Sequence, residues 1–141
     1  MKKLFIALFV LGAFSAQAQK NALLDQAFWK NRPDVAAIQA EIAKGANPAE
    51  TTSNMFDPVV YAINAQAPDE SIKFLLDQKG NEVNKITHDS RTYIFWAAMR
   101  GNTNVMEYLL SKAAKTDIMD SHGATPLTFA AGGGQANTKV Y

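Results

Sequence analysis

Thr92 to Ala98 reads TYIFWAA and Thr125 to Ala131 reads TPLTFAA, so a threonine and an alanine pair recur 33 residues apart. A period of this size marks one supersecondary unit stacked on copies of itself, each too small to bury its apolar face alone. Backwards from Ala97, Ala62 in DPVVYAI and Ala27 in ALLDQAF follow at steps of 35. The second halves keep the same beat, with Ile42, Leu76 and Leu110 recurring every 34 residues. They close the patterns Val35-Ile38-Ile42, Ile72-Leu75-Leu76 and Val105-Leu109-Leu110, which have helical spacing. Each unit therefore reads as a helix, a short turn and a second helix. The chain reads as an all-α solenoid of about four units, near 20–52, 53–86, 87–119 and an incomplete 120–141.

The boundaries carry the chemistry such units need. Asp57-Pro58 and Thr125-Pro126 set a capping oxygen before a proline whose ring is shaped for a first helical turn, so two inner helices start there. Pro33-Asp34 and Pro68-Asp69 open second helices in the same way, and Asn102 or Thr103 caps the third. Gly45 and Gly80 stand where second helices end, because glycine tolerates the left-handed conformation that closes a helix. Ala113-Ala114 replaces that glycine in the third unit, which predicts a less regular end there. The recurrent alanines let neighbouring inner helices approach, and a bulky residue at Ala97 should overpack the seam by ~1–3 kcal/mol.

DSHGATPLTFAA (120–131), AAMRGNTNVMEYLL (97–110) and KGANP (44–48) together resemble the ankyrin repeat. The resemblance spans nearly all of 21–141 and implies stacked helix-turn-helix units joined by hairpin loops. Departures are local. Val60, Phe95 and Thr128 stand where the family has histidine, which removes its threonine-to-histidine bonding. Met55 and Ser90 replace a hairpin glycine, and extra residues fall near 66–68 and 81–83. The last unit lacks counterparts of Tyr108, Leu109 and Leu110, so an open apolar end and a longer parent array are expected.

Residues 1–18 read as a signal peptide: Lys2 and Lys3, the apolar stretch Leu4 to Phe14, then Ala16-Gln17-Ala18 before the cut. The stretch falls short of the roughly 20 residues that span a bilayer. Export to the periplasm, or beyond the cell, is the expectation, with a soluble monomer after cleavage. The chain has no cysteine, which excludes disulfides and a cysteine-linked lipid. Its formal charge of +1 falls to −1 once Lys2 and Lys3 are removed, and no basic run or stripe remains. Nucleic acid and anionic membrane are therefore poor partners.

Chemistry-bearing residues are few. His88 and His122 fall on successive hairpin tips beside Asp89 and Asp120, but zinc needs three or four well-aimed ligands, and solvated tips are the simpler reading. No metal and no cofactor are expected. Ser90 near His88 is a lone adjacency without an oriented base, and Asp69-Glu70 suits a helix start. Gly132-Gly133-Gly134 with Thr138-Lys139 lacks the spacing of a phosphate-binding loop. No catalytic residue is assigned.

Tyr61, Trp96 and Phe129 hold equivalent inner-helix positions and read first as core. Trp29 and Met99 sit at the helix end that the ankyrin resemblance turns toward a concave groove. With Lys30, Asn64 and Arg100 they form the first candidate contact strip. The hairpin residues Ser53, Asn54, Phe56, His88, Asp89, Arg91, Ser121 and His122 form the second. The resemblance implies a protein-binding scaffold. The alternatives are the targeting arm of a longer exported enzyme and a secreted effector acting on foreign proteins.

Overall fold

The computed structural model describes residues 20–141, so the expected signal peptide lies outside the described residues. Seven α-helices follow one another with no strand among the described residues. The inner helices are α1 (Gln26–Lys30), α3 (Pro58–Asn64), α5 (Tyr93–Met99) and α7 (Pro126–Gly132). The outer helices are α2 (Val35–Ala43), α4 (Asp69–Leu76) and α6 (Thr103–Ser111). Helix α3 packs between α1 and α5, and α5 between α3 and α7, while α4 packs between α2 and α6. Two parallel ranks of short helices result, and each unit borrows its neighbour's apolar face. That dependence is what lets helices of five to nine residues persist, since isolated helices of this length are marginal in water.

The seam between inner helices is narrow because its residues are small. Ala62, Ala97, Ala98 and Ala130 are all fully buried, with Val59, Ile63 and Phe95 filling the space beside them. In the outer rank Ile38, Ile72, Leu75, Val105 and Leu109 are buried, as their helical spacing predicts. The closing residues behave differently: Ile42 and Leu76 are half-buried, but Leu110 is exposed. Leu110 and Leu127 flank an apolar cavity of about 350 Å³ that also touches Ile94, Met106 and Val140.

Backbone geometry repeats with the sequence. Every positive φ among the described residues falls at one of three places in the unit. Arg32, Gln66, Gly101 and Gly134 turn from inner to outer helix; Gly45, Gly80 and Ala113 follow the outer helix; Met55, Asp89, Ser90 and Gly123 shape the hairpins. The fold thus imposes the left-handed conformation even where glycine is absent. The expected irregular end after α6 does not occur. Ala113 N–H donates to Leu110 O and Ala114 N–H to Leu109 O, each at 3.0 Å, as Gly45 and Ala46 do to Ile42 and Glu41. Ala113 keeps the same closure at φ 64°, with a steric penalty glycine would not carry. Ala113→Gly should therefore raise stability by about 0.5–1 kcal/mol in urea unfolding, the gain being reduced by glycine's extra freedom in the unfolded chain.

The caps follow the sequence except at the start of α4. Asp57 accepts from Val60 N–H, Asp34 from Ala37 N–H and Asn102 from Val105 N–H. Thr125 and Thr128 cap each other reciprocally, so a threonine in the family's histidine position supplies a local bond of its own. Thr92, in register with Asp57 and Thr125, caps nothing, and its buried hydroxyl has no partner. Pro68, rather than Asp69, is the cap residue of α4; Asp69 lies in the first turn and accepts from Asn102 and Asn104 at 2.8 Å.

Polar ties between adjacent units fix the stacking. Ser71 Oγ donates to Pro33 O at 2.7 Å, Asn81 Nδ2 to Pro48 O at 3.0 Å and Gln135 Nε2 to Met99 O at 3.0 Å. The strongest tie is buried. Asp57 has no exposed surface, takes Lys85 Nζ at 2.8 Å and accepts the Tyr93 hydroxyl at 2.7 Å. Burial, and then the Asp57 carboxylate, push the Tyr93 hydroxyl far above its ordinary value, so it stays protonated and donates.

Candidate functional site: the concave groove and hairpin tips

Stacking α1, α3 and α5 aligns their C-terminal ends into one open groove. One pocket of about 280 Å³ is lined by Gln26, Trp29, Lys30, Tyr61, Asn64, Ala65 and Arg100. It adjoins a second of about 480 Å³ that shares Gln26, Tyr61, Asn64 and Arg100 and adds Asn54, Phe56, Trp96 and Met99. Of the hairpin candidates, Asn54 and Phe56 reach this groove and line it beside the inner-helix residues. Arg100 is held in place by its Nε donating to Asn64 Oδ1 at 3.0 Å, across one repeat.

Trp29 requires correction. Expected as a displayed anchor, it is 1% exposed, with Nε1 donating to Leu23 O at 2.8 Å and its ring meeting Phe28 edge-on. The cause is local: a single 3₁₀ turn, Ala22–Leu24, precedes the short helix α1, and the indole folds beneath that turn. Trp29 thus forms floor, while Lys30 beside it is exposed. Conversely Tyr61, read first as core, is half-buried and forms part of the groove wall. Its register with Trp96 and Phe129 was visible; that α3 leaves its ring partly open was not. Gln26 and Ala65 were missed as groove residues, since neither carries a compositional signal. Trp96 is buried at 5% exposure, as its core reading expects, and only borders the groove.

The hairpin tips form a cross-linked row. Ser121 N–H donates to Asp89 O at 2.9 Å and His88 N–H to Met55 O at 3.1 Å, so each hairpin is joined to the next. His88 Nδ1 faces Asn54 O at 2.9 Å, and the imidazole stacks on Phe56 at 4.6 Å. The Nε2 atoms of His88 and His122 each lie 3.3 Å from Asp89 Oδ2. Among the described residues no group of three or more side chains is placed to hold a metal. Ser53, Ser121 and His122 stand exposed on the tips, outside the groove.

Arg91 is the second correction. Expected as a contact residue, it is buried. Its Nε and Nη2 reach Asp120 Oδ2 at 2.9 Å, and Nη1 reaches Asp89 at 3.0 Å. The guanidinium lies 4.0 Å from the Phe129 ring centre and 5.4 Å from that of Trp96. It bridges the third and fourth units. Burial works to raise the Asp120 carboxyl, but hydrogen bonds from Ala124 N–H, His122 N–H and Arg91 outweigh it and hold the group below its ordinary value.

A family model described as ankyrin repeats in three copies matches residues 59–139, more than half of the chain. The chain belongs to the ankyrin-repeat family. A stretch of 56 residues is also 34% identical to cortactin-binding protein 2 of Rattus norvegicus, covering 40% of this chain and 3% of that protein. The chain thus spans a very small part of that relative's length. Ankyrin repeats mediate protein–protein interaction and are typically not enzymes. No helix among the described residues is long and apolar enough to cross a membrane.

Proposed function

We propose that this chain is a protein-interaction scaffold that engages its partner through the concave groove, with the hairpin tips as flanking contacts. The observation that carries this reading is that Asn54 and Phe56 of the hairpin candidates line one continuous, partly apolar groove with Lys30, Asn64, Met99 and Arg100 of the inner-helix candidates. Its walls stand on stacked helices, with Arg100 tied to Asn64 across one repeat, so docking loses little backbone freedom, and affinity can rest on a few anchors. The signal-peptide pattern of residues 1–18 supports action in the bacterial envelope.

Photo-crosslinking amino acids placed at Gln26 and Asn54, in the groove, and at Gln39 and Glu107, on exposed positions of the outer helices, test the reading in the cells that make the protein. The expected result is one discrete crosslinked protein from the groove positions and none from the outer positions. Crosslinks from Gln39 or Glu107 with nothing from the groove would contradict it.

A further inference from the structure

The groove is unevenly charged. Lys30 and Arg100 line its first pocket, and no Asp or Glu lines either of its two pockets. Arg100 also borders a polar recess across the inter-helix turns, where Arg32 joins it. Among the described residues none of these three cations has a carboxylate within 4.0 Å, whereas Lys85 and Arg91 are both taken up by buried aspartates. The acids nearby are already engaged. Asp69, in the polar recess, accepts from Asn102 and Asn104, and Asp25 pairs with Lys20 at 3.2 Å while capping Ala27 N–H.

Geometry adds to charge. Asn64 fixes Arg100 through Nε, which leaves the two Nη groups of a planar fork to address a carboxylate in bidentate fashion. Beside this fork the larger pocket is walled by Phe56, Tyr61 and Trp96. Their rings already meet one another at tilted angles, with centres 6.1 Å (Phe56–Tyr61) and 5.8 Å (Phe56–Trp96) apart. Such walls accept a further ring edge-on or offset.

We infer that the groove takes an extended partner segment in which an acidic residue neighbours an aromatic one. The ring enters the pocket of Phe56, Tyr61, Trp96 and Met99, and the carboxylate lies between Lys30 and Arg100. The inference rests on the groove reading above and adds the chemistry of the ligand. A basic segment is disfavoured by like charge in the same pocket. Nucleic acid fits poorly as well, because the cations form a short cluster rather than a track along a backbone.

The test is selection from a random-peptide display library, with the full chain and with the Lys30→Glu plus Arg100→Glu variant as baits, each checked for unchanged helical circular dichroism. The wild type should recover peptides with Asp or Glu beside Trp, Tyr or Phe. Synthesised, these should bind the charge-reversed variant at least about tenfold more weakly, and their affinity should fall as salt rises. The variant should instead recover peptides with Lys or Arg beside an aromatic. Binders that are neutral or basic, that lack an aromatic, or that hold equally to both baits overturn the inference, as does a library yielding no groove-dependent binder. If crosslinks to a cellular partner still arise from Gln26 and Asn54, the groove reading stands and only the ligand chemistry falls.

Discussion

Asp57→Ala should cost about 3–5 kcal/mol of unfolding free energy, the scale for breaking a buried ion pair by removing one partner. Three losses coincide at this side chain. The α3 cap to Val60 N–H disappears, Lys85 loses the carboxylate 2.8 Å away, and the Tyr93 hydroxyl loses its strongest acceptor. Lys85 belongs to the same unit as Asp57 and Tyr93 to the next, so the damage reaches across the seam between the second and third units through Tyr93. Asp57→Asn should lose distinctly less, because an amide oxygen still accepts from Val60 N–H. Urea unfolding followed by circular dichroism checks both. Equal and small losses, below about 1 kcal/mol as for an exposed pair, would show that the site is open to water.

Arg91→Ala should be nearly as costly, about 3 kcal/mol or more, since it leaves Asp120 buried with its charge uncompensated and removes a cation from the faces of Phe129 and Trp96. The effect falls on the seam between α5 and α7. A loss of partner binding in this variant would therefore report a disordered fourth unit rather than a missing contact. Arg100→Ala, at an exposed position, should leave stability within about 0.5 kcal/mol and change binding alone. Acid makes the same point without mutation. Asp120 is held below the ordinary aspartate value of 3.8, so its contribution is fully present above that pH and is lost as pH falls through the lower folded value. As pH falls below 3.8 the Phe129 end of the array should loosen progressively, and Arg91→Ala should weaken that acid sensitivity by removing one of the groups that hold the carboxylate charged.

The periodic features of this chain were legible because they are set by residues adjacent in sequence. Caps at Asp57 and Thr125 and the buried alanines follow from local spacing alone. Ala113 shows where such reading stops. Glycine's absence suggested a less regular end, but the helix closes through the Ala113 and Ala114 N–H bonds to Leu110 O and Leu109 O, with alanine itself in the left-handed conformation. The site divides in the same way. Lys30, Asn64, Met99 and Arg100 were placed by register, and the structure brings them into one groove. Trp29 and Arg91 were misread because hot-spot residues and core residues share a composition, and only a partner elsewhere in the chain decides between them. For Trp29 that partner is the Leu23 carbonyl, and for Arg91 it is Asp120, a full hairpin away.

Residue-resolved amide hydrogen exchange on the intact chain tests neighbour-dependent stacking most directly. In a stack, protection follows position, because a unit flanked on both sides opens only with its neighbours. The slowest amides should lie in α3 and α5, with protection falling away toward α1 and α7. One uniform rate across all helices, or greatest protection in α1 or α7, would contradict the account.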